Sequence, residues 1–137
     1  MNPSATTLAL AAAACWGVWA LFVKLATRSV EPVTALVISY FAAVGVAIPV
    51  IASSGVSFEF DRMDFVFAIA GGFATGIGSL LYYRALDIGD SGVISTIVGL
   101  YFVVAAVLGI LLLGEPVTGQ KIMGLILGAT AIFLLSS

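Results

Sequence analysis

The chain has 137 residues, 62% of them hydrophobic and 9% charged, with seven acidic side chains, five basic ones and no histidine. Soluble domains carry about 25% charged residues, so no soluble fold of this length covers that much apolar surface with polar groups. The few basic residues form no patch for nucleic acid, and a lone cysteine without histidine excludes a Cys/His metal site and an intrachain disulfide.

The charges separate five apolar runs, Met1–Val23, Pro32–Phe58, Phe65–Tyr83, Ser91–Gly114 and Ile122–Ser137. A hydrocarbon core about 30 Å thick takes roughly 20 helical residues to cross. The fifth run reaches that length if Gly119–Lys121 are included, with Lys121 snorkelling to the interface. The runs are continuous, whereas barrel strands alternate in polarity, so helices are left to satisfy the backbone in lipid. The expected fold is an all-α integral membrane protein with five transmembrane helices near residues 6–26, 32–52, 64–86, 91–113 and 118–135, a single transmembrane domain over 1–137.

Span one follows Pro3-Ser4 and ends in Lys24 and Arg28. Leu10–Cys15 superficially resembles a lipoprotein cleavage site, but Met1–Thr7 lacks the Lys or Arg that opens a signal peptide. Cys15 is therefore expected as a small buried residue of span one. Glu31-Pro32 opens span two, where proline suits the first helical turn, and Pro49 should kink that span or end it near Ile51. Ser53–Asp64 is the longest polar connection, with Phe58 and Phe60 expected at the interface. Span three carries Gly71, Gly72, Gly76 and Gly78. Span four stops at Gly114-Glu115-Pro116, a helix-end glycine followed by proline, and span five carries Gly124 and Gly128.

Five spans place the two ends on opposite sides of the membrane. One face then carries Arg62 and Lys121, the other Lys24, Arg28 and Arg84. Such a weak bias leaves orientation open. A chain that inserts both ways can form an antiparallel homodimer of ten spans.

Gly72/Gly76 and Gly124/Gly128 have the small-xxx-small spacing that lets helices approach closely. They suit either a dimer seam or packing within the subunit. Trp16, Trp19 and Tyr101 fall inside spans rather than at their ends, where polar-tipped aromatics can wall a cavity for a small organic molecule or pack against core or lipid. Lys24 and Arg84 lie on one side by topology, each either a snorkelling anchor or a cation facing an internal path. Glu115 and Lys121 are expected as loop charges that orient the last hairpin. Ser91, Ser95 and Thr96 can bond carbonyls one turn back. No acidic residue falls mid-membrane, which counts against a proton exchanger built on an intramembrane carboxylate.

Trp16-Gly17 followed by Lys24, then Tyr83-Arg-Ala-Leu86, then Leu111-Leu-Leu-Gly114-Glu115 with Gly124 and Gly128, resembles the EamA-like repeat of the drug/metabolite transporter superfamily, in order and over nearly the whole chain. Most members are similar to two inverted five-helix repeats moving small metabolites or drugs through a central cavity; this chain resembles one repeat. The resemblance implies a ten-helix unit made by pairing, in a prokaryotic plasma membrane, with membrane lipids as surroundings. The first-helix glutamate of the related small multidrug resistance proteins has no counterpart in Ala14-Cys15-Trp16-Gly17. Phe102 stands where the family commonly has proline, and its presence should straighten span four.

The expected function is secondary transport of small organic molecules by a homodimer, without a cofactor. Trp16, Trp19, Tyr82 and Tyr101 are the expected cavity walls. Lys24 and Arg84 are the expected cationic contacts or gates, favouring an anionic or zwitterionic substrate. The alternative is a non-transporting membrane subunit that pairs with another membrane protein or a lipid-handling partner. An enzyme fits least, since no histidine or paired intramembrane carboxylate is present.

Overall fold

The computed structural model describes residues 3–55 and 61–136; Phe58 and Phe60 lie outside them. Six helices follow one another: α1 (Pro3–Ala26), α2 (Pro32–Ser54), α3 (Arg62–Ile88), α4 (Ser91–Val98), α5 (Tyr101–Leu113) and α6 (Gly119–Ser136), with no strand among the described residues. Among the described residues, four stretches are long and apolar enough to cross a membrane: Ser4–Ala26, Pro32–Ser54, Arg62–Ile88 and Ser91–Leu113. Gly119–Leu135 is a shorter apolar helix. At about 1.5 Å per residue it covers most of the hydrocarbon thickness. The chain divides into two compact units, Met1–Ile88 and Gly89–Ser137.

In the first unit α3 packs against both α1 and α2. Local chemistry sets the helix ends. The Glu31 carboxylate accepts the Thr34 amide at 3.1 Å with Pro32 in the first turn, so an otherwise orphaned donor is satisfied. Helix α2 does not stop near Ile51. It runs five residues past Pro49 and closes at Gly55, in the left-handed region with φ 58°. Pro49 removes one backbone donor. Downstream, the Ser53 and Ser54 hydroxyls both donate to the Val50 carbonyl, at 3.2 and 2.5 Å. The fully packed residues are Val23, Thr27, Ala35, Leu36, Tyr82, Tyr83 and Leu86. They lie where the end of α1, the start of α2 and the end of α3 meet. Apolar faces elsewhere, such as those of Phe41 and Phe73, are exposed. Lipid is as apolar as leucine, so no hydrophobic force drives such faces together. Cys15, expected to be buried, is exposed as well, because no neighbouring helix covers that part of α1.

In the second unit Asp90 caps α4, accepting the amides of Gly92 and Val93 at 2.9 and 3.2 Å. Gly114 ends α5 with φ 66°, and the amides of Gly114 and Glu115 turn back to the Gly109 carbonyl. Thr118 accepts the Lys121 amide at 3.2 Å and starts α6, which packs on α4. Span four, expected as one helix over 91–113, is divided into α4 and α5. Its hydrogen-bond ladder changes register at Gly99–Leu100. Leu100 donates to Ile97, Phe102 to Gly99 and Val103 to Leu100, the three-residue spacing of a tightened turn. Gly99 leaves room for this turn: a Cβ there would lie 2.9 Å from the Thr96 carbonyl oxygen. A residue with a side chain could not take this turn unless that carbonyl moved.

Candidate functional site

Three of the sequence-expected residues of the first unit, Trp19, Tyr82 and Lys24, come together at its packed end. The Trp19 ring stacks on Tyr82 with centroids 5.3 Å apart and planes 24° from parallel. It also meets Tyr83 at 5.8 Å and 58°. Both are distances at which aromatic pairs attract. Tyr82 and Tyr83 are buried, and the Tyr83 hydroxyl donates to Ser39 Oγ at 2.7 Å, tying α3 to α2. Lys24 sits one turn beyond Trp19 on α1. Its Nζ donates to the Leu86 carbonyl at 2.5 Å. The last carbonyls of a helix have no partner within it and carry partial negative charge, so an ammonium is well placed at the end of α3. Thr27 Oγ1 returns to the Lys24 carbonyl at 3.3 Å.

The remaining expected residues are more open. Trp16, one turn before Trp19, is 59% exposed, and Arg84 is exposed on α3. Tyr101, at the start of α5 in the second unit, is 58% exposed. Gly72 and Gly76 line a shallow open groove on α3 with Ala68, Ile69, Phe73 and Ile77, and a Cβ at either glycine would meet nothing within 4 Å. Gly124 likewise faces open space. Gly128 does not: the Phe102 ring of the same chain lies against it, and a Cβ there would fall 2.5 Å from the ring's Cζ. Glu115 and Lys121 form an ion pair at 2.5 Å across the final hairpin. Thr96 bonds back to the Gly92 carbonyl at 2.7 Å, as its position allowed.

Two features were not singled out from the sequence. The first is a hydroxyl ladder between α2 and α3. Besides the Tyr83–Ser39 bond, the Tyr40 hydroxyl donates to the Thr75 carbonyl at 3.1 Å and accepts from the Ser79 hydroxyl at 2.9 Å. Part of its signal was available: Ser79 and Tyr83 are four residues apart and so share one face of α3, whereas the Thr75 contact is through its backbone carbonyl. The second is the Phe102–Gly128 contact, for which periodicity within one helix offers no sign.

Continuous apolar helices, interhelical hydroxyl bonds and charges held at helix ends define a multi-pass integral membrane protein. Residues 3–137 match the EamA-like transporter family. The chain belongs to that family and is, at that level, a membrane transporter. It is 28% identical over 139 residues to a protein of a Sinorhizobium species described as an uncharacterized transporter in the cobO 3' region, with 99% of each chain covered. No solved structure matches the chain.

Proposed function

We propose that this transporter moves small organic metabolites across a prokaryotic plasma membrane, as an antiparallel homodimer working by alternating access. The observation that carries the reading is the family match over residues 3–137 of a chain with a single set of about five apolar spans. Two copies in opposite orientations supply ten spans with the inverted symmetry that secondary transporters build around a midplane site. Lys24, Arg28 and Arg84 against Arg62 and Lys121 is too weak a charge bias to impose one orientation. The work is conformational and needs no covalent step and no cofactor.

In this reading the Trp19–Tyr82 stack and the Lys24 bond to Leu86 hold the packed end of α1–α3 shut. Opening that end frees the ammonium for an anionic or zwitterionic substrate. Trp16, Tyr101 and Arg84 contribute wall and entrance contacts. Gly72 and Gly76 allow close approach of another helix, and Gly124 contributes to the dimer seam.

The test joins orientation to uptake. Reporters on both ends give the orientation, single Lys or Arg residues added to loops bias it, and proteoliposomes are screened for uptake of anionic and zwitterionic metabolites. A mixed population that collapses to one orientation and loses uptake when charges are added supports the antiparallel dimer. A single fixed orientation in the unaltered protein sinks it.

A further inference from the structure

The tightened turn in span four lies beside the tightest contact any glycine of the second unit makes. Gly99 lacks the Cβ that would collide with the Thr96 carbonyl. The Cδ1 of Ile132 on α6 lies 3.8 Å from where that Cβ would be. Three residues on, the Phe102 ring rests on Gly128, one helical turn before Ile132. Helix α6 therefore touches span four on both sides of the register change, through Ile132 and Gly128. The seat at Gly128 exists because that residue has no side chain.

We propose that Gly99–Leu100 is a hinge in span four and that the Phe102 ring seated on Gly128 is its fulcrum. A stretch of three-residue spacing inside a longer helix often marks a functional hinge. Here the ladder has exchanged four-residue bonds for three-residue ones without a proline. Above the hinge α4 is held to α6; below it α5 pivots about the aromatic ring. Phe102 and Gly128 are positioning residues, since they set where α5 swings and touch no substrate. This inference rests on the transport reading only for its purpose, because bending itself is measurable without a substrate.

Nine residues separate Gly99 from Leu108, a lever arm of about 13 Å. A swing of about 20°, the lower bound of a sharp kink, displaces Leu108 sideways by roughly 5 Å. The experiment places spin labels on Leu108→Cys of α5 and Met123→Cys of α6, both exposed, in a Cys15→Ser background of the full chain in lipid vesicles. Electron–electron distance measurements then compare the parent with Gly99→Ala. The parent is expected to show two distances about 5 Å apart, or one distribution of that breadth. Gly99→Ala, which restores the helical register, is expected to narrow it to one distance.

Gly128→Ala provides an independent variant, because its methyl displaces the ring from its seat and should shift the mean distance in an otherwise unaltered hinge. A single narrow distance in the parent, or a distribution unchanged by Gly99→Ala, overturns the hinge. An unshifted mean in Gly128→Ala overturns the fulcrum. Expected distances in a protein that takes up no metabolite would sink the transport reading and leave the hinge standing.

Discussion

Removing the Tyr83–Ser39 hydrogen bond tests how the first unit is held together. Interhelical side-chain bonds in lipid average about 0.6 kcal/mol and reach about 1.7 kcal/mol. This bond is 2.7 Å long and Tyr83 is 0% exposed, which places it towards the upper end. The two single variants should differ. In Tyr83→Phe the remaining Ser39 hydroxyl can turn to the carbonyl one turn back on α2, so the cost is expected near 1 kcal/mol. In Ser39→Ala the Tyr83 hydroxyl stays buried without its partner, a penalty of roughly 1–3 kcal/mol. Alanine returns about 0.5 kcal/mol of helix propensity, and that gain cancels in a double-mutant cycle. The coupling energy should therefore fall between about 0.6 and 1.7 kcal/mol. The assay is denaturant unfolding in mixed micelles, followed by fluorescence of Trp19 in a Trp16→Phe background, since Trp19 stacks directly on the Tyr82–Tyr83 pair. A coupling energy indistinguishable from zero would refute the view that the hydroxyl ladder, rather than apolar contact alone, joins α2 to α3.

Lys24→Ala removes the bond to the Leu86 carbonyl, should cost roughly 1–2 kcal/mol of stability, and should reduce uptake while dimer and fold persist; unchanged uptake would make Lys24 an anchor and nothing more. Gly128→Leu should destabilise the second unit by overpacking against Phe102, by about 1–3 kcal/mol, and Phe102→Ala should relieve it. If the relieved double variant forms, by light scattering, the same dimer as proposed for the parent, the seam lies away from Gly128. Gly114→Ala forces a methyl into a left-handed turn at φ 66° and should lower the unfolding midpoint by the equivalent of about 1–2 kcal/mol, whereas an unshifted midpoint would mean that the hairpin adopts another turn.

The helix ends were legible because they depend on neighbours within a few residues. Glu31-Pro32 opens α2, and Gly114 followed by Pro116 closes α5, as their backbone chemistry requires. Of the two outcomes open at Pro49, a kink or an end near Ile51, the end is excluded, because in a long apolar helix the lost donor is one bond among many and the chain stays helical to Ser54. Cys15 misled because burial in a soluble sense does not apply to a face that lipid can cover. Phe102 misled most. Absence of proline suggested a straight span, yet Gly99, three residues earlier and unremarked, supplies the register change.

Of the expected site, topology put Lys24 and Arg84 on one side, whereas Trp19 was read as lying inside its span; the structure sets Trp19 against Tyr82 and Tyr83. Their partners were not legible. Nothing in the order of residues says that the Lys24 ammonium reaches the Leu86 carbonyl rather than water, or that Trp19 stacks on Tyr82.

Composition and charge spacing alone determined that this chain lives in a bilayer as about five apolar helices, because the cost of burying charge or unpaired backbone in hydrocarbon leaves no other arrangement. The order of its motifs pointed to its family. Only the tertiary structure decided which glycine is open and which receives an aromatic ring, where span four changes register, and which hydroxyls join α2 to α3. Those outcomes depend on contacts between residues distant in sequence, such as Ser39 with Tyr83 or Phe102 with Gly128. In lipid such contacts are chosen by close packing and hydrogen bonding rather than by hydrophobicity, and hydrophobicity is the property that a linear pattern records.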